Sequence, residues 1–304
     1  MTEIPDNFAR TMVEVYGEEG AAWLQRLPGL LAECARRWSL TVLPPFVPLS
    51  YNYVAPVVRA DGTAVVLKVG FPGRELRTEI AALQLYDGHG IAQLLDADAD
   101  RGALLLERLV PGTPLARLAD DAEATSIAAQ VMRQLWRPVP PDHAFPTVAD
   151  WAAGLSRLRA RFGGTTAPLP TPLVEQAEQL FAELIGSMGD PVLLHGDLHH
   201  DNILMAQRQP WLALDPKGVV GEAAYETGAL LRNPAGRVLQ APDPRRMMAR
   251  RIDQLAAELG FDWERIRGWA LAQAVLSAWW SIEDHGYGWE DAIAYAEILA
   301  GLQH

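Results

Sequence analysis

Asp197 is followed five positions later by an amide, Asn202, and Asn202 thirteen positions later by a second carboxylate, Asp215. A carboxylate that takes a hydroxyl proton, with an amide oxygen and a further carboxylate to hold a divalent cation, is the group set that phosphoryl transfer requires. Short apolar runs at 192–194 and 203–205 bracket the first two groups, and a third run at 211–214 precedes Asp215. The pattern predicts a strand, a tight loop and a strand, with Asp215 delivered by the strand that follows. A competing use of His195, His199, His200 and Asp201 is a zinc cluster, since imidazole and carboxylate at short spacing are ordinary zinc ligands. That cluster gives no role to the matched aspartate on the following strand.

The elements needed to present these groups are legible along the rest of the chain. Residues 18–38 place Leu24, Leu27, Leu31, Cys34 and Trp38 at spacings of three and four, the mark of an amphipathic helix. Short β-rich runs follow at 42–47, 51–59 and 64–69, the last two joined by the turn signal Asp61-Gly62. The third run carries Lys68. Of 26 basic residues only Lys68 and Lys217 are lysines, and both fall in chemically suggestive segments. A chain that otherwise uses arginine keeps lysine where a compact ammonium is needed.

A helix over 75–86 has the apolar face Leu76, Ile80 and Leu83. Glu79 borders that face more closely than Glu75, and is the expected partner of Lys68, with Glu75 as the alternative. Strands are expected at 91–95 and 103–106, with a solvated acidic turn at 96–102. That turn lacks the glycine and the bidentate glutamate of a calcium loop. From Pro114 onward the periodicity is helical, at 123–136, 148–162, 172–188, 243–259, 263–284 and 289–302.

A formal charge of −12 argues against a nucleic-acid surface and suits a cationic ligand. No stretch approaches 18 consecutive apolar residues and no basic, apolar leader opens the chain, so a cytoplasmic location without membrane insertion is expected. The single cysteine, Cys34, lies on the apolar stripe of the first helix and is expected in the core.

The run His195-Gly-Asp-Leu-His-His-Asp-Asn202, followed by Asp215-Pro-Lys-Gly218, resembles the aminoglycoside and hydroxyurea phosphotransferases, a branch of the kinase-like superfamily, and is most similar to the streptomycin 6-kinases. Residues 103–109, 231–234 and 276–284 extend the resemblance over most of the chain. It implies an α+β, two-lobed protein-kinase-like fold, with a small antiparallel-sheet lobe at 1–109 and a larger, mainly helical lobe at 110–304. It also implies ATP and Mg2+ as cofactors, the nucleotide lying between the lobes. Asp197 would act on the acceptor hydroxyl, with Asn202 and Asp215 holding the metal. Lys68, paired with Glu79, would contact the α- and β-phosphates, and backbone groups of Glu107 and Leu109 would meet adenine.

Residues 49–54 lack the glycines of a protein-kinase phosphate loop, so Ser50 is the candidate phosphate contact there. Lys217 either neutralises charge on the transferring group or is a salt-bridged surface lysine. The acceptor implied is a hydroxyl of an aminoglycoside such as streptomycin, at its 6-position. Hydroxyurea, another small hydroxylated metabolite, and a non-catalytic nucleotide-binding regulator are the alternatives. Glu283 and Asp284 oppose the dipole at the carboxyl end of a Trp-rich helix, a cost that a cationic acceptor would offset, with Glu226 as a further contact. The alternative for that pair is a solvated helix end.

Overall fold

Apolar side chains at every second position of 53–57 and 65–69 give two strands a common buried face. The computed structural model describes residues 4–304, and the chain divides between Gly112 and Thr113 into two compact units. The first begins with α1, Asp6–Arg37, bent at Gly17, whose φ of 57° lies outside the helical region. This helix starts ahead of residue 18, because Phe8 and Met12 carry its buried face past the bend. There follow β1 (Leu40–Val42), β2 (Asn52–Arg59), β3 (Ala64–Gly70), α2 (Arg74–Tyr86), β4 (Leu94–Asp98) and β5 (Ala103–Glu107). The strands pair antiparallel in the order β1-β2-β3-β5-β4.

Tyr53, Ala55, Val57 and Leu67 pack with Phe8, Trp23, Leu27, Leu31 and Cys34 into one core. Strand alternation turns Lys68 to the opposite face, where α2 lies. Two expectations change here. Residues 43–47 do not extend β1, since Pro44, Pro45 and Pro48 supply no ladder donors, although Phe46 N still donates to Val54 O at 2.9 Å. The acidic turn is shorter than its composition suggests, because β4 runs through Asp98. That carboxylate is buried, and it accepts from Arg37 at 3.0 Å and from Arg101 at 2.9 Å.

The second unit contains α3 (Asp121–Leu135), α4 (Val148–Ala152), α5 (Gly154–Arg161), α6 (Thr171–Gly186), β6 (Val192–Leu194), β7 (Ile203–Met205), β8 (Trp211–Ala213), β9 (Val219–Gly221), α7 (Thr227–Leu231), α8 (Pro244–Leu259), α9 (Trp263–Asp284) and α10 (Glu290–Ala300). The stretch 148–162 forms two helices rather than one, parting at Gly154. There α5 begins so close to α9 that an added Cβ would stand 2.9 Å from Leu276 Cδ1. α9 is apolar on nearly every face and is surrounded by α5, α6, α7, α8 and α10. Strands β6 and β9 form one antiparallel pair, β7 and β8 another. The flanks of the Asp197 loop are thus secured in two separate ladders. Arg251 of α8 bonds both oxygens of Asp121 at 2.9 and 2.6 Å, and donates to the carbonyls of Leu231 at 3.2 Å and Asn233 at 2.7 Å. Among the described residues no helix is long and apolar enough to cross a membrane.

Candidate active site

In the first unit, Lys68 Nζ donates to Glu79 Oε1 at 2.6 Å, and both side chains are buried. The choice between Glu79 and Glu75 follows from helix register. Glu79 sits among Leu76, Thr78, Ile80 and Leu83 on the covered face of α2, whereas Glu75 lies exposed in the first turn. A buried ammonium and carboxylate at this distance hold each other charged, and removing either would leave the other uncompensated. Ser50 is exposed in the segment between β1 and β2. Glu107 ends β5. Its N–H donates to Gln93 O and its carboxylate accepts from Gln93 N. Leu109 follows beyond the strand.

In the second unit, one carboxylate organises the loop that carries Asp197. Glu226 is buried, and its two oxygens accept from the backbone N–H groups of His195 at 2.6 Å and Gly196 at 2.9 Å. Glu226 is therefore an anchor of the loop, enclosed and turned to backbone donors rather than toward solvent. Burial pushes its pKa up to about 7, against the lowering effect of those N–H donors. An isolated acid within the apolar run 223–231 was the available signal.

The loop is closed by further bonds. His195 Nδ1 accepts from Asp197 N at 3.2 Å, so the ring proton lies on Nε2, which donates to Leu214 O at 2.8 Å. Burial pulls this imidazole down to about 4, consistent with a neutral ring. Lys217 N donates to His195 O at 2.7 Å and Leu214 N to Asn202 O at 3.0 Å, which ties the Asp215 segment to the Asp197 loop. Asp215 takes a left-handed φ of 61°, a conformation that aspartate tolerates better than most residues, beside Gly218 at 67°. Lys217 Nζ lies 3.8 Å from Asp215 Oδ2. Burial holds the Asp197 carboxyl above its ordinary value, while His199, Lys217 and Arg232 pull it down and Asp215 raises it. These groups therefore share one electrostatic neighbourhood.

Arg232 escaped the sequence reading. Its Nη1 donates at 3.1 Å to Oε1 of the buried Gln273 of α9. The room for that amide comes from Gly228, where a Cβ would fall 2.3 Å from Gln273 Oε1.

The zinc reading fails on geometry. His195 spends both ring nitrogens inside the loop, and His200 is sealed in the interior with neither nitrogen bonded. Among the described residues no group of three or more His, Cys, Asp or Glu side chains could hold a metal. Asn202 and Asp215 fit a different ion. The Asn202 Nδ2 donates to Asp197 O at 3.0 Å, which leaves the amide oxygen as the edge that can ligate. One amide oxygen and one carboxylate form a hard, incomplete donor set. That suits Mg2+, which keeps waters and takes phosphate oxygens in place of a full protein cage.

At the end of α9, Glu283 is engaged by the Arg157 fork at 2.9 and 3.0 Å, while Asp284 is exposed one residue on. The cost of an acid at that helix end is thus offset, for Glu283, by an arginine of this chain.

Residues 42–285 match the model of the aminoglycoside/hydroxyurea antibiotic resistance kinase family. The chain belongs to that family. Among its relatives, the streptomycin 6-kinase of Streptomyces glaucescens is 34% identical over 99% of this chain and 98% of its own. The hydroxyurea phosphotransferase of Kitasatospora aureofaciens is 34% identical over 99% of this chain and 87% of its own. Among solved structures, aminoglycoside phosphotransferase APH(4)-Ia has a TM-score of 0.64 at 13% identity, covering 90% of this chain and 97% of that one. Choline kinase LicA from Streptococcus pneumoniae has a TM-score of 0.65 at 13% identity, covering 91% and 100%. This resistance-kinase chain accordingly has a protein-kinase-like fold, with an antiparallel sheet in the smaller unit and helices in the larger.

Proposed function

We propose that this protein transfers the γ-phosphoryl group of ATP to a hydroxyl of streptomycin, at its 6-position. The observation that carries the reading is full-length identity of 34% to a streptomycin 6-kinase in a chain whose Asp197 loop is braced for chemistry. A second streptomycin 6-kinase, from Streptomyces griseus, is 35% identical over 92% of this chain, which favours streptomycin over hydroxyurea. The formal charge of −12 suits a cationic acceptor.

In this reading Asp197 orients the acceptor hydroxyl and takes its proton. Desolvation within the loop holds its carboxyl above the ordinary value. Lys68, held charged by Glu79, contacts the α- and β-phosphates, and Lys217 offsets charge on the transferring group. Asn202 and Asp215 would hold Mg2+, which would supply positive charge to the phosphates. Ser50 meets phosphate where a glycine-rich loop is missing, and backbone groups of Glu107 and Leu109 meet adenine. Because the transition state is loose, these residues contribute mainly position and charge. The protein acts in the cytoplasm on a small molecule, with neither nucleic acid nor membrane as partner.

The test is ADP release with streptomycin and hydroxyurea as acceptors, followed by mass spectrometry and NMR of the product. Streptomycin phosphorylated at the 6-hydroxyl is expected, with Asp197→Ala lowering kcat by about 10²–10⁴ while ATP binding persists. Turnover with hydroxyurea and none with streptomycin would replace this assignment by the other.

A further inference from the structure

Trp151 of α4 reaches the reacting loop directly. A Cβ added at Gly196 would stand 2.7 Å from Trp151 Cη2, so only glycine, here at φ 86°, lets the ring lie against the residue before Asp197. The same ring meets Trp280 of α9 edge to face, with centroids 5.3 Å apart at 88°, and Tyr225 at 6.2 Å.

Trp151 and Trp280 differ from the enclosed tryptophans of this unit. Trp269 and Trp279 are fully buried, whereas Trp151 and Trp280 are part-exposed. The indole N–H groups of Trp263 and Trp269 donate to Asp253 and Glu222. Among the described residues those of Trp151 and Trp280 have no protein acceptor and are not sealed inside. Asp284 is exposed four residues after Trp280, on the same side of α9. The phosphoryl-transfer roles above leave this aromatic pair unused.

We propose that Trp151 and Trp280 form a subsite for a guanidinium of the acceptor, with Asp284 supplying negative charge at its rim, an inference that rests on the streptomycin reading. A guanidinium is planar and weakly hydrated, stacks on indole faces and presents its N–H edge to carboxylates. Streptomycin bears two such groups on the ring that carries its 6-hydroxyl, and hydroxyurea bears none. A guanidinium stacked on Trp151 lies beside Gly196, so the pair selects which ring hydroxyl faces Asp197.

The experiment measures streptomycin binding by calorimetry, and KM and kcat for streptomycin and ATP, in the full chain and in Trp280→Leu and Trp151→Phe. Phenylalanine keeps an aromatic ring against Gly196, and melting curves report whether each variant folds. Streptomycin Kd and KM are expected to rise about tenfold in Trp280→Leu and less in Trp151→Phe, with KM for ATP unchanged. Streptomycin binding equal in all three folded proteins, or absent from all, overturns the subsite. Failure of the streptomycin reading shows differently, as no ADP release by the unaltered protein, and the binding comparison still decides the subsite in that case.

Discussion

Glu226 and Glu283 are both expected from sequence to meet the acceptor, and they end in opposite surroundings. Glu226 is 1% exposed and faces two backbone N–H groups of the Asp197 loop. Glu283 has a side chain 33% exposed and faces the guanidinium of Arg157. The first cannot be replaced by water, because its donors are enclosed with it. The second can, because solvent reaches both partners. An acid aimed at main-chain donors in the interior belongs to the scaffold of a site, whatever its distance in sequence from the chemistry.

The largest effect that would test this contrast is that of Glu226→Ala. Two enclosed N–H groups lose their acceptor, at about 1–3 kcal/mol each, so unfolding free energy is expected to fall by about 3 kcal/mol or more. Loosening of the loop is expected to lower kcat by about 100-fold, since small displacements of a reacting group are that costly. Urea unfolding and single-turnover rates check both. A stable, active Glu226→Ala protein would reduce Glu226 to the standing of Glu283.

A second effect is a pH slope. The folded chain holds Glu226 at about 7 against an ordinary 4.5, so between those values the folded state binds more protons than the unfolded one. Unfolding free energy therefore falls as pH rises through that window: the contribution is complete below about 4.5 and lost above about 7. Urea midpoints at pH 5 and pH 7.5 should diverge more in the unaltered protein than in Glu226→Gln, which cannot titrate. Parallel behaviour of the two proteins would mean that the carboxyl titrates in its ordinary range.

The smallest effect is expected from Glu283→Gln. Breaking a half-exposed arginine fork is expected to cost under about 1 kcal/mol, with streptomycin KM changed by less than about twofold. A several-fold rise in KM would return Glu283 to the acceptor's surroundings and would erase the distinction from Glu226.

What could be read in advance was local. The Asp197 loop lies between apolar runs that can only be strands, and Glu79 faces Lys68 because the apolar stripe of α2 sets its register. What could not be read depended on chain segments far apart. Glu226 takes its donors from residues 30 and 31 positions away, so no window around it contains the reason for its burial. Asp98 leaves its expected turn because Arg37, 61 residues earlier, is there to neutralise it. The division of 148–162 at Gly154 answers to the surface of α9, more than a hundred residues later. Periodicity reports which side of an element is covered, and is silent on what covers it.

Arg251 closes the carbonyls of Leu231 and Asn233, which the end of α7 leaves without partners, and it does so from α8. During synthesis from the amino end, the Asp197 loop emerges first and its acceptor, Glu226, only later. The cap on the short helix that follows Glu226 comes later still. The groups closest to the chemistry are thus made before the segments that brace them.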